Sequence, residues 1–392
     1  MEGFNNSCNE TFTFNVTSEA DALSLQYTLT ECIIIKWLLP CVLLLGLLGN
    51  CAFLLVFLRV QWMRTVTNAY LANIAVADIV FLIIGVGEKG FRYATSPIAG
   101  DQTILRSSGG CVFLYLILDI TYFASMFLVT FVSYERYLAV CDPLQYRVVT
   151  LHFKYRTLRN LLTAWMLGLA FAAATIPGRN VYVSICVTWP TDDINKYRAF
   201  PTKMGLCTAM SEKATHIVNG IQTLPFFVTL IINTVLYTTI IRRLNPKNSS
   251  ARKCAPSRNN VRNQVAVMLV ITGVVFFVCL APFEILSMLY MIAGFVPAFT
   301  LGHIRMPALV QFSRVLMYIN SAINAVIYNM ASCRYRKAFG IILQDLCFPQ
   351  RFPQRVIINR TPDSLRKMID PQRKAVAIWF VHDHMEKIKS VC

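Results

Sequence analysis

Seven long stretches of the chain are apolar, and short polar segments separate them. A helix that crosses a membrane needs about 20 mostly apolar residues, and in lipid a helix satisfies all of its own backbone groups. The pattern therefore predicts an all-α membrane protein, a bundle of seven transmembrane helices. These cover roughly Ile33–Leu58, Asn68–Val86, Cys111–Val140, Leu161–Ile176, Ile217–Ile241, Val265–Ile292 and Ala308–Met330. The seventh stretch is the least apolar, since Gln311, Arg314, Asn320 and Asn324 interrupt it.

Composition agrees with lipid as the main solvent. Hydrophobic residues make up 56% of the chain and charged residues only 15%, whereas an ordinary soluble domain has about 25% charged residues. In a soluble protein, a net charge of +17 would suggest nucleic-acid binding. Here the basic residues lie between and after the apolar stretches, so we expect no nucleic-acid partner.

Lysine and arginine predict the orientation. The segment before the first helix has acidic residues and no Lys or Arg before Lys36, whereas the loop between the fifth and sixth helices is basic and has no acid. Cytoplasmic loops carry the excess of basic residues. The N-terminus is therefore predicted outside the cell and the C-terminus inside.

The chain divides into four parts on this prediction. Residues 1–32 form an extracellular segment with glycosylation sequons at Asn5, Asn9 and Asn15. Residues 33–332 form the seven-helix bundle, and residues 333–347 a basic amphipathic helix on the membrane surface. Residues 348–392 form a largely disordered cytoplasmic tail, interrupted by several prolines.

Polar motifs inside the apolar stretches distinguish this chain from a transporter or a light-driven pump. The third helix ends in Glu135-Arg136-Tyr137, similar to an E/DRY motif, and the second reads Leu71-Ala72-Asn73-Ile74-Ala75-Val76-Ala77-Asp78, similar to LxxLxxAD. The sixth has Phe276-Phe277-Val278-Cys279-Leu280-Ala281-Pro282, and the seventh Asn320-Ser321-Ala322-Ile323-Asn324-Ala325-Val326-Ile327-Tyr328. Over roughly residues 33–347 the chain resembles the rhodopsin-like (class A) G-protein-coupled receptors.

The resemblance implies a polar network in the middle of the bundle. In that family a mid-membrane Asp binds a sodium ion that acts as an allosteric cofactor. The matching positions of the network are Asn50, Asp78, Ser125, Asn320 and Asn324. A purely structural polar cluster is the alternative.

A coupling surface for a heterotrimeric G protein is implied at the cytoplasmic end. Glu135 would hold Arg136 in an ion pair, and its release would free Arg136 to contact the G protein. The residues expected to serve coupling and activation are Glu135, Arg136, Tyr137, Leu144, Tyr237, Phe276, Pro282 and Tyr328. Leu280 and Ala325 depart from the Trp and Pro that are usual in this family, and Pro225 lies about one turn early. These departures keep open a constitutively active receptor without a peptide agonist.

The resemblance also implies covalent features. A disulfide would join Cys111 to Cys207, with Cys186 as the second choice, and a left-over extracellular cysteine would pair with Cys8 or Cys32. Alternating residues from Val181 to Ile185 predict a β-hairpin lid between the fourth and fifth helices. Cys347 is placed for palmitoylation, and Cys333 less well.

Ionisable residues in the outer halves of the helices predict a polar ligand cavity, because such residues are costly in lipid. The expected ligand-binding residues are Glu88, Asp119, Tyr122, Glu284 and Arg314. The alternative is internal pairing of Arg314 with Glu284 or Asp119. Leu118 stands where amine receptors have Asp, and Tyr318 where opsins have Lys, so we exclude both classes.

The remaining similarity is to peptide receptors, particularly those for thyrotropin-releasing hormone, ghrelin and neuromedin U. The run Met63-Arg64-Thr65-Val66-Thr67-Asn68 resembles their MRTxTN. It implies a plasma-membrane receptor that transmits the binding of an extracellular peptide to a G protein, of Gq type in the nearest receptors. Arrestin is a further expected partner. The sequence has no catalytic constellation and no metal-site spacing, and a transporter would be expected to show repeats that are not found.

Overall fold

The chain folds into a bundle of seven long helices with a small sheet at one end. The computed structural model describes residues 12–142, 145–146, 153–190, 194–244, 256–296 and 306–347. The long helices are α1 (Leu29–Arg59), α2 (Val66–Thr95), α3 (Ser108–Cys141), α4 (Phe153–Thr175), α5 (Glu212–Leu244), α6 (Pro256–Phe295) and α7 (Met306–Ala331), and a shorter α8 (Cys333–Cys347) follows.

Local sequence explains where several helices begin. Thr28 and Glu31 form a capping box at the start of α1, and Thr65 and Ser107 cap α2 and α3 with their side-chain oxygens. A turn of π-helix, Ile34–Leu38, interrupts α1. Short 3₁₀ turns occupy Gln61–Met63, Thr103–Leu105 and Ile176–Gly178, and a single helical turn covers Ile194–Tyr197.

Six helices in the described part of the chain are long and apolar enough to cross a membrane, namely α1 to α6. The seventh apolar stretch also forms a helix, α7, which packs against α1, α2 and α6. α3 runs through the middle and contacts α2, α4, α5 and α6. Every helix begins before the predicted apolar stretch, and all but α4 also end after it, because helical hydrogen bonding continues into polar residues at the ends.

The main core joins the helices around α3. Its buried side chains include Phe53, Phe123, Met126, Phe226 and Leu280. Close approach of α1 to α7 depends on small residues, since a Cβ at Gly49 would lie 2.9 Å from the Cβ of Ala325. The departure from proline at position 325 therefore coincides with a tight helix contact.

A three-stranded sheet covers one end of the bundle, called here the sheet end. Strand β2 (Val181–Thr188) pairs antiparallel with β3 (Lys203–Thr208), with Val181 opposite Thr208. This confirms the predicted hairpin. Strand β1 (Thr13–Asn15) adds in parallel, with Thr13 opposite Cys186.

The N-terminal segment has structure that sequence reasoning missed. After β1, a short helix (Glu19–Leu25), capped by Ser18, buries Ala22 in a cluster with Ile98, Val187 and Met204. The segment is thus folded onto the hairpin. The predicted tail at 348–392 and the sites Asn5, Asn9 and Leu144 lie outside the described residues, as does the side chain of Cys347.

Candidate functional site

A polar cavity opens at the sheet end between α3, α4, α5 and α6. Tyr115 and Asp119 of α3 line one side, and Asn219 and Gln222 of α5 and Ser287 of α6 line the other. The Asp119 carboxylate accepts a hydrogen bond of 2.7 Å from the hydroxyl of Thr175. The guanidinium of Arg179 lies 4.5 Å from the centre of the Tyr115 ring.

Asp119 was the one cavity residue that the sequence prediction named, although a signal existed for two others. Asn219 and Gln222 are three residues apart in an apolar helix, so they share one face. Arg179 follows α4 in the loop before β2, and only the folded chain brings it beside Tyr115.

Glu284 lies deeper than Asp119 and is fully buried, with 0% of its surface exposed. One carboxylate oxygen accepts a hydrogen bond from the hydroxyl of Tyr122. The other oxygen has no hydrogen-bond partner among the described residues. The pair connects α3 to α6 close to Pro282 and above the buried side chain of Leu280.

Glu88 forms ion pairs with two residues of its own helix. Its carboxylate lies 2.8 Å from Arg92 and 3.4 Å from Lys89. Arg92 also donates to the backbone carbonyls of Ala99 and Asp101, at 2.7 Å each. This arginine therefore joins α2 to the loop that follows it. The four-residue spacing of Glu88 and Arg92 is a helical ion-pair signal that the sequence already contained.

The predicted ligand-binding residues thus lie in separate places. Asp119 lines the cavity, Tyr122 and Glu284 lie below it, and Glu88 and Arg314 lie on α2 and α7. The alternative pairing of Arg314 with Glu284 or Asp119 was wrong for the part of the chain that the structure describes, where Arg314 has no ion pair. The acids bond instead to Tyr122 and Thr175, because those side chains reach them from the helices next to them.

The hairpin is tied to α3 at the sheet end. Cys111 and Cys207 form a disulfide, which confirms the first choice over Cys186. Cys186 is itself disulfide-bonded and Cys32 is a free thiol, so the pairing alternative that used Cys32 was wrong. Cys8 lies outside the described residues.

The mid-bundle polar network is partly connected. Asp78 accepts a hydrogen bond of 2.8 Å from Asn324, and Asn50 donates to the backbone oxygens of Gly46 and Ser321. Ser125 and Asn320 are buried, and the Oδ1 atom of Asn320 has no hydrogen-bond partner in the described residues. Oxygen atoms of Asp78, Ser125 and Asn320 are the hard donors that a small cation takes.

At the opposite end, Glu135 pairs with Arg156 of α4. The expected ion pair between Glu135 and Arg136 was wrong: within the described chain, Arg156 is the cation that Glu135 contacts, and the Nε atom of Arg136 has no partner. The carboxylate and the neighbouring guanidinium leave α3 in different directions, since consecutive residues are rotated by about 100° on a helix.

The other predicted coupling residues surround this end. The hydroxyl of Ser133 donates a hydrogen bond of 2.8 Å to that of Tyr237 on α5. Tyr237 belongs to a small apolar cluster of α3, α5 and α6, and Tyr137 packs against this cluster. Phe276 is buried in the main core. The ring of Tyr328 packs between those of Phe53 and Tyr335, with centres 5.4 Å and 5.7 Å away. Tyr335 belongs to α8, so α7 and α8 are joined by aromatic contact.

Comparison with known proteins agrees with this architecture. Residues 49–328 match the family model described as 7 transmembrane receptor (rhodopsin family). The chain is 27% identical to neuromedin-U receptor 2 of Rattus norvegicus, over 80% of this chain and 76% of the relative. It is 29% identical to growth hormone secretagogue receptor type 1 of Rattus norvegicus, over 78% and 79%. It is also 29% identical to neuromedin-U receptor 1 of Homo sapiens, over 76% and 70%.

Proposed function

This chain belongs to the rhodopsin family of seven-transmembrane receptors, and from that premise we propose that it transmits the binding of an extracellular peptide to a heterotrimeric G protein of Gq type. The family makes the chain a multi-pass protein of the plasma membrane and a receptor, not an enzyme. The observation that carries the proposal is the small cavity that Asp119 lines, at the end of the bundle where a disulfide ties the hairpin to α3. The relatives of the chain are receptors named for neuromedin U and growth hormone secretagogue.

The sheet end is proposed to face outside the cell. The acidic N-terminal segment and the hairpin are at this end, and disulfides persist in the oxidising environment outside the cell. The basic residues Arg242 and Arg243, in the last turn of α5, are at the opposite end. Positive charge favours the cytoplasmic side, so Arg136 and α8 would face the G protein.

The peptide would enter past the hairpin and reach Asp119. The carboxylate of Asp119 is partly buried, and within the described chain its hydrogen-bond donor is the neutral hydroxyl of Thr175. Such a carboxylate attracts a cationic or amide group of a ligand. Deeper contact with Tyr122 and Glu284 would connect ligand binding to the position of α6. A ligand can shift a two-state equilibrium only by binding one state more tightly, and this contact between helices is where the difference would arise.

At the cytoplasmic end, opening of α5 and α6 would expose Arg136. Arg136 already lacks a carboxylate partner in the described chain, so activation need not break an ion pair of Arg136. It would instead let the G protein reach Arg136, past Tyr237, Tyr137 and the neighbouring helix ends. Leu144 and the basic loop would complete the contact with the G protein, and arrestin is proposed to use the same surface.

Three further features belong to the proposal. Asp78, Ser125 and Asn320 would hold a sodium ion that favours one state. Cys347 would carry a palmitoyl group that, with the basic face of α8, anchors this helix to the lipid bilayer. Asn5, Asn9 and Asn15 would carry glycans. At Asn15 the amide oxygen accepts a hydrogen bond of 2.7 Å from Thr188, and the amide nitrogen to which a glycan attaches takes no part in that bond.

The test is intracellular calcium in cells expressing the full chain, screened against a neuropeptide library. We expect at least one peptide to evoke calcium release, and Arg136→Ala to abolish it at equal surface expression. Arg159→Ala is the matched control, because Arg159 is exposed on α4. A response that survives Arg136→Ala would contradict coupling through Arg136.

The second candidate is a receptor active without a peptide agonist. The buried Leu280 in place of the usual Trp favours it. Silence across the library together with raised basal signalling that Arg136→Ala removes would support this candidate over the first.

A further inference from the structure

A second polar region lies at the sheet end, between α2 and α7 and apart from the Asp119 cavity. Val86, Val315 and Tyr318 pack in one cluster there, and a Cβ at Gly85 would lie 2.7 Å from the Tyr318 ring. Lys89 is three residues after Val86, and Arg314 is four residues before Tyr318. Because α2 runs toward the sheet end and α7 away from it, both cations lie about one helical turn beyond the contact, on the same side.

The charges in this region do not balance. Glu88 is the only carboxylate within 4 Å of Lys89 or Arg92 in the described residues, and Arg314 has no ion pair there. The negative charge of Glu88 and the three positive charges of Lys89, Arg92 and Arg314 sum to +2. The side chain of Arg92 is only 8% exposed and that of Lys89 17%.

The three cations are not equivalent. Arg92 donates to Glu88 and to two loop carbonyls, so each of its three guanidinium nitrogens already donates a hydrogen bond. Lys89 shares the carboxylate of Glu88 at the longer distance of 3.4 Å. Arg314 is close enough to Lys89 for their like charges to repel. Like charges in a poorly solvated place are costly unless an anion joins them.

We propose that Lys89 and Arg314 form a binding site for a carboxylate of the peptide ligand, an inference that rests on the proposed function. A guanidinium presents two parallel N–H donors to a carboxylate, and the lysine ammonium adds a point charge. The acids Asp119 and Glu284 lie on other helices, α3 and α6. The ligand would therefore present its carboxylate to α2 and α7 and a cationic or amide group to α3 and α6.

The experiment needs no agonist, so its failure is distinct from the failure of the peptide screen. The full chain is purified in detergent in a low-salt buffer free of chloride and of carboxylate anions, and its thermal midpoint is measured with increasing N-acetyl-L-phenylalanine or with the amide of the same compound. A ligand that binds only the folded state raises the midpoint. We expect a rise of roughly 2–4 °C at saturation with the acid, and no rise with the amide.

Variants assign that shift to the site. Arg314→Gln and Lys89→Gln should each abolish or strongly reduce it, and Arg314→Lys should keep part of it. Arg198→Gln, which removes an exposed cation between β2 and β3, is the matched control and should keep the whole shift. Comparison with N-acetyl-L-glutamic acid α-amide shows whether a side-chain carboxylate serves as well as a terminal one.

Four results would overturn the proposal. These are equal shifts with acid and amide, no shift with either acid, a shift that survives Arg314→Gln, and a shift that chloride reproduces at the same concentration. The last would mean that the site holds any small anion and does not select a carboxylate.

Discussion

Gly273 of α6 leaves the space that the side chain of Tyr237 occupies. A Cβ at this position would lie 1.8 Å from the Tyr237 hydroxyl oxygen and 2.4 Å from the ring carbon that bears it. The ring is held in place because its hydroxyl bonds to Ser133 of α3. One missing methyl group thus lets α3, α5 and α6 meet near the coupling end.

Gly273→Ala is expected to destabilise the receptor by about 1–3 kcal/mol, the usual cost of inserting a methyl group into a well-packed site. Thermal unfolding of the purified receptor measures it. The control is Gly87→Ala in α2, where a Cβ would meet nothing within 4 Å and alanine is the better helix former. Equal midpoints for the two variants would show that Tyr237 can move aside at no cost.

The N-terminal segment acts at the scale of elements, because it adds a strand and a helix to the hairpin. Its short helix is attached by an apolar cluster around Ala22 and Ile98 and by an exposed ion pair between Glu19 and Lys196. The hydrogen bond and positive charge of Lys196 lower the pKa of Glu19. A depressed carboxyl pKa stabilises the folded state above the ordinary pKa, and the contribution is lost as pH falls through the folded pKa.

Acid should therefore loosen the N-terminal helix. We expect smaller protection factors for amide hydrogen exchange over residues 19–25, that is, less protection after correction for the intrinsic pH dependence of exchange, as the pH falls below the ordinary pKa of 4.5. Between pH 6 and 8 these protection factors should change little. In Glu19→Gln the exchange should be faster already at neutral pH and should lack this acid step. A step of equal size in that variant would assign the acid effect to another carboxyl group.

The disulfide between Cys111 and Cys207 closes a long loop, with a sequence separation of 96. Cys207→Ser should lower the free energy of unfolding by about 2–5 kcal/mol, because the cross-link restricts the unfolded chain. Thermal unfolding of the variant, beside Cys32→Ser, measures it, since Cys32 is a free thiol near the same end. A loss of equal size in Cys32→Ser would contradict the assignment.

At the scale of the whole molecule, the two ends of the bundle are connected through α3. This helix carries Asp119 and Tyr122 near the ligand cavity and Glu135 and Arg136 at the opposite end. Glu135 is buried and paired with Arg156 of α4. The pair fixes α3 to α4 and so favours the helix arrangement seen here.

Arg156→Gln is expected to raise basal signalling, because the arrangement that the pair favours loses that contact. A pair worth about 1 kcal/mol changes the ratio of the two states about fivefold. Basal inositol phosphate at equal surface expression measures it. Arg159→Gln, three residues further along α4 and exposed, should leave basal signalling unchanged. If basal signalling is unchanged in both variants, the pair of Glu135 and Arg156 has no part in switching.

Prediction from sequence succeeded where the signal was local or where a motif carried it. The seven helices and the hairpin follow from the periodicity and length of apolar residues, and Cys207 was the favoured partner of Cys111. The N-terminal strand and helix were missed because a strand of three residues (Thr13–Asn15) has no pattern of its own and is stable only against the edge of β2.

The sequence by itself determined which segments lie in lipid and which lie in water, and hence where the helices are. It could do so because hydrophobicity and spacing are properties of neighbouring residues. It also determined the family, through motifs that are contiguous along the chain. Only the tertiary structure decided which charges meet. Glu135 pairs with Arg156 instead of Arg136. Among the residues that the structure describes, Arg314 has no carboxylate within 4 Å. The physical reason is that an ion pair inside a bundle forms between side chains that face each other across two helices, and that geometry exists only after the helices have packed.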